Sequence, residues 1–282
     1  MGGYAKDVLV ETDYVAENLD NPDVRIVEVD EDTAAYDRNH IRNAVGLNWR
    51  GDLQDPLRRE FVSPDDFAKL MDKIGVTADT EVILYGGNNN WFAAYAYWYF
   101  RYYGHAGVKL MNGGRKKWEL EGRDLTQDPP KAAASSGYKV KGADDEIRAY
   151  RDWIRDEVVG NKAYGLVDVR SPEEYRGELL APPHLPQEQA QKPGHIPGAA
   201  NIPWSKSVDP ESGAFLSTDK LKELYGGVGI TPEKNIVAYC RIGERSAHTW
   251  FVLHELLGYA NVRNYDGSWT EWGSLVGVPI EK

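Results

Sequence analysis

The 282-residue chain has one cysteine, six histidines and three methionines. A single cysteine excludes an internal disulfide, a Cys-x-x-Cys redox pair and a zinc ribbon, all of which need at least two thiols. Cysteine poverty without disulfides fits a reducing compartment, so a cytoplasmic location is expected. The histidines are scattered, and none forms a close ligand pair with acids or with the cysteine. No metal and no cofactor are therefore expected. Positive charge is also in deficit. Lys and Arg number 33 against 44 Asp and Glu, for a net charge of −11, which argues against a nucleic-acid-binding face. The longest apolar run, Trp91–Phe100, is about half a membrane span. Met1-Gly-Gly-Tyr-Ala-Lys6 has no apolar signal core, and Lys6 stands where a myristoylation signal wants Ser or Thr. Neither nucleic acid nor a membrane is expected as a partner.

With 41% hydrophobic and 27% charged residues, the chain has ordinary globular composition, and its length suggests two domains. The lone cysteine lies in its most informative stretch, Asn235-Ile-Val-Ala-Tyr-Cys-Arg-Ile-Gly-Glu-Arg-Ser-Ala-His-Thr-Trp250. Ile236–Tyr239 reads as a short buried strand. From Ser246 to Tyr259, the spacing of Trp250, Leu253, Leu256 and Leu257 becomes helical. Cys240 opens the loop between them. A helix N-terminus favours an anion, and Arg241 and Arg245 flank the thiol. Such surroundings lower a cysteine pKa, so a thiolate nucleophile at neutral pH is expected. The alternative is a small buried hydrophobe. Flanking charges and a place at the carboxyl end of a strand, where α/β folds bind ligands, weigh against it.

The chain repeats itself. His40-Ile-Arg-Asn-Ala-Val-Gly-Leu-Asn-Trp49 returns as His195-Ile-Pro-Gly-Ala-Ala-Asn-Ile-Pro-Trp204, and Gly75-Val-Thr77 as Gly229-Ile-Thr231, at spacings of 155 and 154 residues. Asn112-Gly-Gly-Arg-Lys-Lys-Trp118 likewise returns as Asp266-Gly-Ser-Trp-Thr-Glu-Trp272. The order of strand and helix signals also recurs, so the chain is read as a tandem duplication of one α/β unit. Expected boundaries are 1–127 for the first copy, 128–142 for the linker and 143–282 for the second. The linker signal is the Pro/Ala/Ser-rich run Gln127–Gly137. The second copy carries a Pro/Gln-rich insertion, Gly177–Gln191. Aligning the copies places Gly86 opposite Cys240 and Trp91 opposite Arg245. Nucleophilic chemistry is therefore assigned to the second copy alone.

The duplication, His195-Ile-Pro-Gly-Ala199, the loop Cys240–Arg245 and Tyr265-Asp-Gly-Ser-Trp-Thr-Glu-Trp272 together resemble the two-domain rhodaneses, the thiosulfate sulfurtransferases. Tyr85-Gly-Gly-Asn-Asn-Asn-Trp-Phe92 is most similar to the bacterial CysA-type subgroup. The resemblance implies an α/β fold with two rhodanese-like domains, each a mainly parallel sheet flanked by helices, the first inactive. It implies a Cys240 persulfide, loaded from a small-molecule sulfur donor such as thiosulfate and unloaded to a thiophilic acceptor, cyanide in the assay. A sulfur-accepting protein stays open as a partner. Arg241, Ile242, Gly243, Glu244, Arg245 and Ser246 form the implied substrate-binding loop, with Arg241 and Arg245 holding the donor dianion. No general base is required if the thiol is already ionised.

The sequence departs from related enzymes at three places. Ile242 stands where animal-type thiosulfate enzymes have lysine, Glu244-Arg245 replace Val-Thr, and Glu174 precedes Tyr175 where those enzymes have arginine. Trp91 and Phe92 are expected to form an apolar wall for substrate, while Asp168, Arg170 and Glu174 support the loop. His40 and His195 recur in both copies and are assigned to architecture. His248, one helical turn beyond the loop, is read as structural. Competing readings are a mercaptopyruvate sulfurtransferase, a rhodanese-like cysteine phosphatase and a sulfur-carrier module. Phosphatase loops place five residues between Cys and Arg, whereas four separate Cys240 from Arg245.

Overall fold

The computed structural model describes residues 3–131, 136–182 and 189–282. Part of the Gln127–Gly137 linker and part of the Gly177–Gln191 insertion lie outside the described residues. The chain divides into two units. One comprises Asp7–Asp144 with Val208–Phe215. The other comprises the N-terminal residues up to Lys6, Asp145–Ser207 and Leu216–Lys282. Each unit thus takes a short segment from the far side of the sequence. Phe215 N–H donates to the Asn112 side chain at 3.0 Å in the first unit, and Ala5 N–H donates to the Leu256 carbonyl at 2.8 Å in the second.

The first unit is built on five strands, β1 (Leu9–Val10), β2 (Val24–Glu28), β3 (Val45–Gly46), β4 (Glu81–Tyr85) and β5 (Val108–Met111). They form one parallel sheet in the order β1-β5-β4-β2-β3. The apolar run at β4 is buried almost throughout, as expected of a parallel strand covered on both faces. Its core includes Val15, Ile26, Ile83, Tyr85, Met111 and Trp118. The helix Pro64–Lys73 begins with a side-chain cap. The Ser63 hydroxyl accepts the Asp66 amide at 3.1 Å, and Pro64 takes the first helical position.

The second unit repeats the plan with β6 (Tyr164–Asp168), β7 (Ala200–Asn201), β8 (Asn235–Tyr239) and β9 (Val262–Tyr265). These four are parallel, in the order β7-β6-β8-β9. Tyr239 pairs with Asp168 on one side and with Tyr265 on the other. The chain ends that leave β6, β8 and β9 therefore emerge side by side. The core gathers Ile154, Leu166, Val237, Tyr239, Tyr265, Trp269 and Trp272.

Matching contacts recur in the two copies. The Ile41 amide donates to the Tyr85 hydroxyl and the Ile196 amide to the Tyr239 hydroxyl, each at 3.0 Å. His40 stacks on Tyr36 and His195 on Tyr175. Both histidines also place Nδ1 against the carbonyl of their stacking partner. Among the described residues, no helix is long and apolar enough to cross a membrane.

Candidate active site

Cys240 is the first residue beyond β8 and is fully buried. The loop after it is only three residues long, because the helix begins at Glu244 rather than at Ser246. Gly243 allows this early start. Its φ is +93°, in the left-handed region. A Cβ there would lie 2.5 Å from Asp266 Cα. The turn brings the Gly243 N–H to 3.2 Å from Cys240 Sγ. We expect Gly243→Ala to lose about 1–2 kcal/mol from backbone conformation alone, with the overlap at Asp266 adding to it. Denaturant unfolding checks this, and a variant within about 0.3 kcal/mol of the wild type contradicts it.

Glu244, the first residue of the helix Glu244–Trp250, turns back over the loop. The Cys240 thiol donates to its Oε2 at 3.2 Å, and the Ile242 amide donates to the same oxygen at 3.2 Å. Its other oxygen, Oε1, accepts from Arg241 Nη2 at 3.1 Å and lies 3.8 Å from Arg245 Nε. Arg245 is held elsewhere as well. Its Nη1 and Nη2 donate to the two oxygens of Glu174 at 2.9 and 3.0 Å. Glu174 sits at the third position of the short helix Pro172–Tyr175, where it forms a capping box with Ser171. Burial works to raise its carboxyl, but Arg245 and the Ser171 amide outweigh it and hold the pKa below the ordinary 4.5.

The thiol differs from the sequence expectation of a depressed pKa. Burial pushes Cys240 upward, and the neighbouring Glu244 charge pushes it further. Arg245 and the contacts with Ser246 pull the other way without prevailing. The sequence places two arginines next to the cysteine. Folding gives each arginine a carboxylate, so their charge does not act on sulfur alone.

A second layer comes from β9 and the chain after it, which the strand pairing brings beside Cys240. Ser268 Oγ accepts the Cys240 amide at 3.0 Å, and the Trp269 amide donates to the Cys240 carbonyl at 3.0 Å. The Thr270 hydroxyl and amide both donate to the Arg241 carbonyl. Asn264 links Ser246, at 2.6 Å, to the Gly243 carbonyl, at 3.0 Å. Sequence reasoning gave Ser268, Asn264 and Thr270 no role. The parallel pairing of β8 with β9 was the signal that could have found them.

Asp168 and Arg170 form a buried bidentate ion pair, with N–O distances of 2.6–3.2 Å. The Arg170 guanidinium also lies 4.7 Å from the Trp269 ring centre. Their link to the thiol is indirect, through Trp269 and its bond to the Cys240 carbonyl. Ile242 is buried and meets Glu244 through its amide. His248 packs edge-on to Trp204, with ring centres 5.1 Å apart. Trp91 and Phe92 belong to the other unit. There Phe92 packs against Trp49 at 4.7 Å and stacks with Trp91 at 5.1 Å.

The first copy closes its equivalent loop without a thiol. Asn88, Asn89 and Asn90 all adopt left-handed backbone. Asn90, opposite Glu244 in the repeat, accepts the Gly86 amide at 3.0 Å and donates to the Met111 carbonyl at 2.7 Å.

Comparison with known proteins agrees with this architecture. A family model described as "Rhodanese-like domain" matches residues 11–121 and again 151–275. A protein of Saccharopolyspora erythraea named "Putative thiosulfate sulfurtransferase" is 59% identical over 98% of this chain and 96% of its own length. "Sulfur carrier protein TtuD" of Thermus thermophilus is 56% identical over 99% of both chains. Among solved structures, the anaerobic ergothioneine biosynthesis enzyme from Chlorobium limicola, in complex with trimethyl histidine, superposes with a TM-score of 0.81. It is 23% identical, over 97% of this chain and 70% of that one, a likeness of fold.

Proposed function

We propose that this chain, which belongs to the rhodanese-like family, is a sulfurtransferase that moves a sulfane sulfur from thiosulfate to a thiophilic acceptor through a persulfide on Cys240. The observation that carries the reading is the setting of Cys240 Sγ. It stands at the carboxyl end of β8 and is met by the Gly243 N–H at 3.2 Å. An amide aimed at sulfur stabilises negative charge on it in both thiolate and persulfide forms. The thiolate attacks the outer sulfur of thiosulfate, the S–S bond of the donor breaks, and sulfite leaves with the bonding pair. The acceptor then attacks the terminal sulfur of the persulfide. With cyanide this releases thiocyanate and restores the thiolate.

Arg241 is the residue assigned to the anionic end of the donor, as a charge-assisted partner for a tetrahedral oxyanion. Arg245 is assigned to holding the loop, because both its Nη atoms are engaged by Glu174. A charge-assisted contact contributes about 1.5–3 kcal/mol. Arg241→Ala is therefore expected to raise KM for thiosulfate roughly ten- to a hundredfold, with a smaller change in kcat. Thiosulfate is expected to be a better donor than mercaptopyruvate, and phosphate esters are not expected to turn over. The test is kcat/KM for both sulfur donors on the wild type and Arg241→Ala. A preference for mercaptopyruvate, or an unaltered KM in the variant, counts against these assignments.

A second reading has a specific basis in the relative named as a sulfur carrier. In that reading a thiol on a partner protein attacks the terminal sulfur of the Cys240 persulfide, becoming a persulfide itself and releasing the Cys240 thiolate. Loading is the same and only the acceptor differs.

A further inference from the structure

We propose that Glu244 is the proton acceptor for the Cys240 thiol, taking the proton as sulfur attacks the donor and returning it when the acceptor removes sulfur. The proposal rests on the sulfur-transfer reading above and adds the step that a protonated resting thiol requires. In loading, the S–H bond of Cys240 breaks and an O–H bond forms on Glu244 Oε2, while the freed sulfur pair attacks thiosulfate and sulfite departs. In unloading, the thiolate is regenerated and takes the proton back from Glu244.

Three observations support it. The first is geometric. The thiol already donates to Glu244 Oε2 at 3.2 Å, within proton-transfer reach, and both residues have zero exposure. The second is charge balance. The charged groups that meet the pair or its partners are Arg241 on the loop, Arg245 on the same helix, and Glu174 from Pro172–Tyr175, while His248 on that helix packs on Trp204. Beyond β9, Asp266 is paired with Arg148 at 3.1 Å. Arg241 and Arg245 are balanced by Glu244 and Glu174. Releasing the thiol proton to solvent would leave an uncompensated negative charge in a buried place, which is costly. Passing it to Glu244 keeps the cluster's net charge unchanged. The third is the comparison between copies. Asn90, opposite Glu244 in the repeat, makes the bonds that Ser268 makes in the second copy, to the first amide of the loop and to the carbonyl ending the last strand. The first copy thus has neither thiol nor carboxylate in its loop, and the copy that has the thiol is the one that has a proton acceptor.

The experiment follows Cys240 by mass, measuring single-turnover persulfidation by thiosulfate and alkylation by iodoacetamide, each against pH, in wild type and Glu244→Gln. Gln keeps the size of Glu244 and an oxygen that can accept the Ile242 amide, which favours a folded variant. The wild-type rates are expected to depend weakly on pH from neutrality upward. In Glu244→Gln both should fall about a hundredfold at neutral pH, in line with the effect of a general base. They should then climb about tenfold per pH unit towards the ordinary thiol range. Matching profiles in the two proteins overturn the proposal. So does a variant that reacts faster, with its inflection moved down, since Glu244 would then be only a repelling charge.

If Glu244→Gln does not fold, infrared difference spectra of wild type carrying isotope-labelled glutamate decide the question. Loading with thiosulfate should produce a protonated carboxyl band, and its absence overturns the proposal. If thiosulfate loads neither protein, the sulfur-transfer reading fails, while the iodoacetamide profiles still judge Glu244.

Discussion

Glu174→Ala is expected to destabilise the second unit by about 3–5 kcal/mol, the loss typical when one partner of a buried ion pair is removed. Glu174 and Arg245 are both nearly excluded from solvent and share a bidentate pair at 2.9 and 3.0 Å. Without Glu174, the buried guanidinium keeps its desolvation cost and loses its principal counter-charge. The Ser171 capping box is lost at the same time. Replacing both residues, as Glu174→Leu with Arg245→Met, should recover most of the loss, because no charge is then stranded. The pH dependence follows from the sign of the shift. The folded pKa of Glu174 lies below its ordinary value of 4.5. The pair's contribution is therefore present above that value and fades as pH falls through the depressed folded pKa. The penalty of Glu174→Ala should shrink correspondingly in acid. Urea unfolding at several pH values measures both effects, and a neutral-pH loss under about 1 kcal/mol would show that the pair holds little.

Cys240→Ala should abolish sulfur transfer, lowering turnover by at least about a thousandfold, while the fold survives. Removing a nucleophile removes the covalent intermediate itself, and no neighbour replaces it, since Cys240 is the only cysteine in the chain. Cys240→Ser tests the same claim with less change in volume, because a hydroxyl keeps the hydrogen-bonding capacity but cannot form a persulfide. Both variants should stay folded. The loop is fixed from several other directions, by Ser268 on the Cys240 amide, Trp269 on its carbonyl and Asn264 on Gly243. Retention of thiosulfate-to-cyanide transfer in either variant would move the chemistry away from Cys240.

The duplication made much of the fold legible. His40–Trp49 and His195–Trp204 share residues that the structure uses alike, down to the matching bonds from Ile41 and Ile196. The place of Cys240 was also readable, since a buried apolar strand followed by helical spacing puts the intervening residue at a strand end. Strand β1 was not readable, because its two residues are too few to show a pattern. The wiring of the site was hidden for another reason. Glu174 and Arg245 are 71 residues apart, and nothing local says that they meet. The sequence presents Arg241 and Arg245 as free positive charge beside a thiol, which suggests a depressed pKa. Folding pairs each with a carboxylate and buries the sulfur, and the direction reverses. Short-range charge patterns show which groups are available, whereas the net field at a buried atom depends on partners brought in by topology.

The most direct measurement is the intact mass of the protein after incubation with thiosulfate and removal of small molecules, with Cys240→Ala treated in parallel. Persulfide formation at Cys240 should add one sulfur atom to the wild type and none to the variant, and the added mass should be lost when cyanide is supplied. An unchanged wild-type mass, or the same gain on Cys240→Ala, would contradict it.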